Sequence, residues 1–497
     1  MKLVNPGKIP AVWVSLIPFA FLAATLSLVI KVFGGSALDG ASQVSLILAS
    51  GVVVAISMIF YKAKWEDFEN GIMDNIRSVS SAILILFLIG AVAGTWMASG
   101  IVPMMIYYGM KIITPKIFLF ATCVICALIS VMTGSSWTTI ATVGVALIGI
   151  GTAQGYSAGW TAGAIISGAY FGDKISPLSD TTTLASSSAG TPLFTHIRYM
   201  LLTTIPSFII TLVIFLTISL THEVPSQSTI TEFAGDLASN FNINLWLLLV
   251  PIITGVLIIK KMPAILTLFL TVLLAAVAAL IFQPHIVWHI ASGQPIGAYR
   301  QLSFMDGFKG LMLTTYGPTG ISVGNPELDR LIATNGITGM LPTLFLVISA
   351  AAFGGVLVGS GMLQSLTNAL QKGMRRTFSI VASTVGTGIF ANMITGDQYL
   401  SIILTGSLYK NLYRKKGLEP RLLSRSVEDS ATVCSVLIPW NSCGMTQATV
   451  LKVATLDYLP YCFFNLLSPL MSLFIAAMGY KIYRKARGEV NEIKDGK

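Results

Sequence analysis

Apolar stretches long enough to cross a bilayer follow one another along nearly the whole 497-residue chain, separated by short polar breaks. A helical span takes about 20 mostly apolar residues, because each adds about 1.5 Å across a hydrocarbon core of about 30 Å. Runs near that length fall at about 11–33, 42–61, 79–99, 115–132, 137–153, 158–190, 197–220, 243–259 and 262–283. Others follow at about 340–362, 378–393, 398–411, 426–452 and 456–480, several of them short or interrupted. The pattern predicts an all-α polytopic membrane protein of about 13–14 spans, with no soluble domain that holds its own core. The run at 11–33 is too long for the apolar part of a signal peptide and reads as the first span.

The interruptions carry more information than the spans. Within the run 158–190 stands G-D-K-I-S-P-L-S-D-T-T (172–182), with two carboxylates, a lysine and a proline at membrane depth. Unpaired polar groups cost several kcal/mol in lipid, so such a segment is buried in protein or lines a watery cavity. T-G-D-Q-Y (395–399) and P-W-N-S-C-G (439–444) mirror it near the other end.

The two halves align. Ser99-Gly100 matches Ser360-Gly361, Thr133-Gly134 matches Thr395-Gly396, and Pro177 matches Pro439. The glycine-to-proline spacing is 43 residues in both halves. We expect two inverted repeats, each with a re-entrant hairpin and a broken helix around a site at the midplane, the arrangement by which many secondary transporters alternate access. The implied divisions are N-terminal spans with a cytoplasmic interfacial helix at 63–76 (1–78), a first repeat (79–220), linking spans with a long external loop (221–339), a second repeat (340–480) and a basic cytoplasmic tail (481–497).

Composition agrees. The chain is 54% hydrophobic and only 10% charged, against about 25% charged in soluble domains. Its net charge of +10 comes from lysines and arginines clustered at span ends, such as 62–77, 260–261, 371–376 and 410–425. That is a topology signal rather than a nucleic-acid surface, and it places both termini in the cytoplasm of a cell membrane. Lys111 and Lys116 run against this scheme. Lys2 and Lys8 precede the first span, and Arg330 is one of three basic residues in the long external loop. Cys123 and Cys126 form C-x-x-C inside an apolar run with no second pair, so they read as small packing residues. Trp160, Tyr409 and Tyr480 read as interface anchors. His196 is a candidate pH sensor, and the other three histidines read as solvated. No nucleotide-binding loop or metal-binding Cys/His cluster is present in the sequence, so no cofactor is expected and the driving force should be an ion gradient.

Hydroxyls and carboxylates are hard oxygen ligands suited to an unhydrated alkali cation. The first half supplies Thr133, Ser135, Ser176, Ser179, Asp180 and Thr181, and the second Asp397, Asn441 and Ser442. Ser136, Lys174, Gln398 and Trp440 are candidates to line the substrate cavity. Asp180, then Asp397, Asp173 and Asp429, are candidates to couple protons. The ordinary alternatives are a helix cap or a buried ion pair, the latter with Arg421 or Arg425 for Glu428 and Asp429.

The motifs G-D-K-I-S-P-L-S-D-T-T (172–182), A-N-M-I-T-G-D-Q-Y-L-S-I-I-L (391–404), S-V-E-D-S-A-T-V (426–433) and I-P-W-N-S-C-G (438–444) closely resemble the NhaC-type sodium/proton antiporter family of the ion transporter superfamily. The resemblance implies paired re-entrant hairpins and ion sites where a Ser-Asn-Thr-like triplet faces a hairpin tip. Here the triplets are Ser179-Asp180-Thr181 and Asn441-Ser442-Cys443. Related carboxylate transporters have asparagine where this chain has Asp180, which can hold either a cation or a proton. The expected activity is exchange of sodium for protons, with sodium at the cation-binding residues. The alternative is cation-coupled transport of a small organic acid or amino acid, as in malate/lactate exchange. A channel and an intramembrane enzyme fit less well. The partners expected are small cations, the lipid bilayer and, as the candidate assembly, a second copy of the chain.

Overall fold

A computed structural model describes residues 9–33, 40–223, 227–260, 262–322, 328–329, 332–371 and 376–484. Lys2, Lys8, Lys261, Arg330, residues 372–375 of one basic loop and residues 485–497 of the tail lie outside the described residues. The fold is all-α. Among the described residues there is no strand, only one isolated bridge between Leu418 and Arg484.

Nine helices among the described residues are long and apolar enough to span a membrane, or up to eleven when two bent pairs each count as one. The remaining apolar runs are shorter pieces packed inside. The run 158–190 divides into Ala158–Ile175 and Asp180–Ala189, and the run 426–452 into Glu428–Thr432, Ser435–Leu437 and Ser442–Leu451, preceded by Pro420–Val427. The cause of both breaks is local. A residue before proline is pushed out of the helical region, and Ser176 and Ile438 are both extended, with ψ of 129° and 116°. Each chain then restarts a helix under a side-chain cap: Ser179 accepts from Thr182 N–H, and Asn441 from Cys443 N–H.

The segment 63–76 is continuous with the span that follows it, in the 34-residue helix Trp65–Ala98. At about 1.5 Å per residue this helix is about 50 Å long, longer than the hydrocarbon core. Its exposed Glu66, Asp67, Glu69 and Asp74 occupy the first turns. It crosses Leu341–Gly359 backbone to backbone: a Cβ on Gly71 would lie 2.2 Å from the Gly355 carbonyl oxygen. Small residues let membrane helices approach this closely. The same device joins Phe118–Thr133 to Ala158–Ile175, where a Cβ on Gly168 would meet the Cys123 carbonyl oxygen at 2.1 Å. Cys123 and Cys126 are buried and unbridged, as expected for packing residues.

Three side chains differ from their sequence reading. Tyr409 is fully buried rather than at an interface, its hydroxyl bonded to Ser383 and Thr387. His196 is fully buried rather than at a wet helix end. His222 stacks on Tyr156 with centroids 3.8 Å apart. Lys116, which ran against the charge pattern, reaches the carbonyls of Leu220 and His222 and so closes a helix C-terminus.

Candidate functional site

Each half of the chain holds one helix–glycine–helix tip facing one broken helix. Phe118–Thr133 ends at Gly134 (φ 66°), and Thr377–Thr395 ends at Gly396 (φ 62°). Both glycines take the left-handed conformation that side chains rarely adopt. Thr133 Oγ1 donates to the Ser135 carbonyl and accepts from Ser135 N–H, both at 3.2 Å. At an offset of 262 residues Thr395 Oγ1 does the same with Asp397, at 3.0 and 3.2 Å. Ser135 Oγ caps the next helix by accepting from Thr138 N–H at 3.2 Å, and Asp397 Oδ1 accepts from Leu400 N–H at 2.8 Å. Behind each tip a polar side chain pins the broken helix: Ser130 donates to the Ala169 carbonyl and Asn392 to that of Ala431, both at 2.6 Å. Four kinds of contact recurring at one offset extend the three sequence landmarks into bonded geometry.

The halves differ in where they keep the carboxylate. Position 135 is serine and its counterpart is Asp397, whereas Asp180 has Ser442 as its counterpart. Ser442 Oγ donates to Asp397 Oδ2 at 3.3 Å, and Ser442 N–H donates to the Gly396 carbonyl at 2.7 Å. Asn441 Nδ2 reaches the carbonyl and side-chain oxygens of Asn392 at 3.2 and 3.3 Å. Asp397, Asn441 and Ser442 are all buried, with Asp397 only 2% exposed.

The first half adds a second carboxylate, which sequence reading ranked low. Asp173 Oδ2 accepts from Ser136 N–H at 3.2 Å and Ser136 Oγ at 2.7 Å, and Oδ1 accepts from Ser179 Oγ at 2.6 Å. Thr181 Oγ1 lies 2.9 Å from Ser179 Oγ. Asp173 therefore ties the first tip to the far side of the first break. Asp180 is different: it opens the helix Asp180–Ala189, is exposed, and has no side-chain hydrogen bond among the described residues. The helix N-terminus favours its negative charge.

A cavity of about 260 Å³ opens beside the first tip, lined by Thr133, Ser135, Asp173, Asp180, Thr181 and Gln398 among others. Among the described residues its only charged lining groups are the two aspartates. Gln398 also donates to the Thr432 carbonyl at 2.8 Å and so belongs both to the cavity and to the second broken helix.

Four candidates lie elsewhere. Lys174 and Asp429 form a fully buried ion pair, joined by Ser468 and Thr203 hydroxyls. Consecutive helix residues point about 100° apart, so Asp173 faces the tip while Lys174 faces the other half of the chain. Trp440 does not line the cavity; its indole N–H donates to the Met393 carbonyl at 2.7 Å and its ring packs on the second apolar cluster. Ser176 spends its hydroxyl on the Val131 carbonyl at 2.8 Å.

Comparison with known proteins bears on the family. A model of the Na+/H+ antiporter family matches residues 168–480, the stretch that holds both broken helices and the second tip. The chain belongs to that family. The Na(+)/H(+) antiporter NhaC of Alkalihalophilus pseudofirmus is 35% identical over 86% of this chain and 88% of its own length. The malate-2H(+)/Na(+)-lactate antiporter of Bacillus subtilis is 33% identical over 87% of this chain and 88% of its own. The arginine/ornithine antiporter ArcD of Halobacterium salinarum is 31% identical over 97% of this chain and 95% of its own. Family members thus differ in the solutes their names carry, while the two tips are features of this chain's own geometry.

The tips give a direct prediction. Gly134→Ala would force a side chain into φ 66° with its Cβ 2.7 Å from the Leu178 backbone. The strain of about 1–3 kcal/mol should displace the tip, lowering the melting temperature slightly and uptake severely. Parallel thermal melts and vesicle uptake check both effects.

Proposed function

We propose that this chain is a secondary active antiporter that exchanges sodium for protons across a cell membrane. The observation that carries the reading is the pair of buried carboxylates, Asp173 and Asp397, each hydrogen-bonded across the junction of a tip and a broken helix. An isolated ionised carboxylate is costly away from water unless it is paired. A tip can therefore cross the closed state carrying sodium or a proton, and not empty. Carrying one in each direction is exchange.

In this reading sodium is the substrate. At the second tip it would be held by Asp397, Ser442 and Asn441, with carbonyl ends nearby. At the first it would be held by Asp173, Asp180, Ser135, Ser179 and Thr181, with Thr133 shaping the turn, Ser136, which does not line the cavity, bonded to Asp173, and Gln398 completing the polar wall. These are hard oxygen donors, and among the described residues no cluster of three or more His, Cys, Asp or Glu side chains suits a transition metal. Opposite orientation of the two repeats would let the sites open alternately. We place both termini in the cytoplasm, with a homodimer as the candidate assembly.

A second reading has support from the cavity. Its volume and uncharged groups at Thr138, Gln398 and Tyr399 leave room for a small organic solute, and two relatives carry organic acids or amino acids in their names. The charge of the lining argues against an anion: Lys174, the cation that could have met a carboxylate, is consumed by Asp429.

Purified protein in liposomes with an internal pH dye separates the readings. Sodium alone should move protons, with no response to malate, lactate, arginine or ornithine. A requirement for any of these solutes would replace the first reading with the second.

A further inference from the structure

A buried group of charges lies apart from the cavity, between the helix Leu193–Thr221 and the second broken helix. Lys174, Arg425, Glu428 and Asp429 are all fully buried there, as is His196. Lys174 is bonded to Asp429, but Arg425 stands with its Nε 4.0 Å from Asp429 Oδ2 and none of its nitrogens hydrogen-bonded. Both Glu428 oxygens are also without partners.

The hydrogen bonds of His196 are consistent with a tautomer that leaves Nε2 bare. Its Nδ1 lies 2.8 Å from Ser424 Oγ. With the single hydroxyl proton of Ser424 directed to the Arg421 carbonyl, 3.1 Å away, Oγ accepts from Nδ1–H. A neutral imidazole protonated at Nδ1 has a bare Nε2. That Nε2 is buried, unpartnered and 3.8 Å from Glu428 Oε2. In this tautomer two acceptors face each other, and one proton would satisfy both.

We propose that His196 and Glu428 bind one proton between them, at a site separate from the two tips. The elements packed around the pair contribute Lys174 and Asp173 from Ala158–Ile175, Arg421 and Arg425 from Pro420–Val427, and Asp429 from the following turn. Tyr199 lies under the Arg425 guanidinium at 4.7 Å, and Arg421 is paired with Glu419. Tyr413, from Gln398–Lys415, bonds Thr384. Phe463–Met478 carries no titratable group, Cys123 and Cys126 pack on Gly168, Asp180 faces the cavity, and Lys116 is bonded at the far helix end. Within the fully buried group Lys174 and Arg425 balance Glu428 and Asp429, and Asp173, 6% exposed, is the further carboxylate that the added proton would offset.

The proton has a mechanical consequence. It ties the helix Leu193–Thr221 to the turn Glu428–Thr432, a wide π-type turn of the kind often found at functional sites. That turn is the seat of the second tip: its Ala431 carbonyl accepts from Asn392 and its Thr432 carbonyl from Gln398. Proton occupancy thus sets how firmly the second tip is held, and with it the pH dependence of the transport rate.

Two variants and one spectrum test this. In Glu428→Gln the amide N–H takes the proton's place facing Nε2, so the pH profile in vesicles should lose this site's contribution and keep only the dependence that proton–sodium competition at the tips imposes. His196→Gln should lose the same contribution, and the double variant should match the single ones. Wild-type profiles in both single variants, or independent shifts that add in the double, would overturn the proposal. A readout independent of transport is 15N NMR of histidine-labelled wild-type protein, with His196→Gln assigning the signal. The expected result is a bare Nε2 at alkaline pH that gains a proton bond on acidification. An Nε2–H tautomer throughout, or a signal that does not change with pH, would contradict the site whichever solute the protein carries.

Discussion

Asp397→Ser is expected to abolish sodium-driven proton movement, with the protein still folded. Serine caps the equivalent helix in the first half at Ser135, so the second tip keeps its N-cap bond to Leu400 N–H in altered form. What is lost is the charge. A ligand bond to a charged group contributes about 1.5–3 kcal/mol, and at about 1.4 kcal/mol per tenfold the upper figure corresponds to a loss on the order of 100-fold in sodium affinity. The two halves supply their own rescue. Because the first half has Ser135 and Asp180 at the equivalent positions, the double variant Asp397→Ser with Ser442→Asp rebuilds that arrangement in the second half. It should regain measurable transport in the liposome assay. Equal inactivity of the single and double variants would show that the carboxylate must stand on the tip itself.

Lys174→Met is expected to be the most destabilising single substitution considered for this chain. Lys174 and Asp429 are fully buried and bonded to one another. Removing one partner of a buried pair typically costs about 3–5 kcal/mol, because the other charge is left uncompensated. Replacing both by apolar groups is often neutral, so Lys174→Met with Asp429→Leu should recover most of the loss. Arg425 and Glu428 then remain as one charge of each sign. Thermal melts monitored by size-exclusion chromatography should show a large drop for Lys174→Met and near-recovery for the pair. A single variant as stable as the wild type would mean that water reaches Asp429 or that Arg425, 4.0 Å away, compensates its charge.

The parts of this architecture legible in the sequence were those written in local chemistry. Glycine and proline punctuate the chain, so Gly134, Pro177, Gly396 and Pro439 marked the tips and breaks without any three-dimensional information. Hydropathy gave the membrane class, but the span count exceeded the helices that meet a spanning length, because runs such as 426–452 are apolar through burial in protein rather than contact with lipid. Side-chain partners across the halves were beyond reach. Asp173 and Lys174 are adjacent, and pairing them with each other was as reasonable as any choice; only the helix geometry shows that they face different neighbours. Arg425 and Asp429, four residues apart, suggested an ordinary local bridge, whereas the bonded partner of Asp429 comes from 255 positions earlier. Asp180 stood out because it sits in the most conspicuous motif, yet the buried, hydroxyl-held carboxylates are Asp173 and Asp397. The exchange of serine and aspartate between positions 135 and 397, and between 180 and 442, was present in the sequence and emerges once the offset of 262 is fixed by bonded geometry.

The central claim is that sodium and a proton compete for the same carboxylates. The most direct measurement adds sodium chloride to purified, weakly buffered wild-type protein and follows proton release with a pH dye, using potassium chloride as the control and Asp397→Ser as the comparison. Sodium should release protons at a pH where the sites are protonated, potassium should release none, and Asp397→Ser should release fewer. Sodium binding with no proton release at any pH would contradict the account.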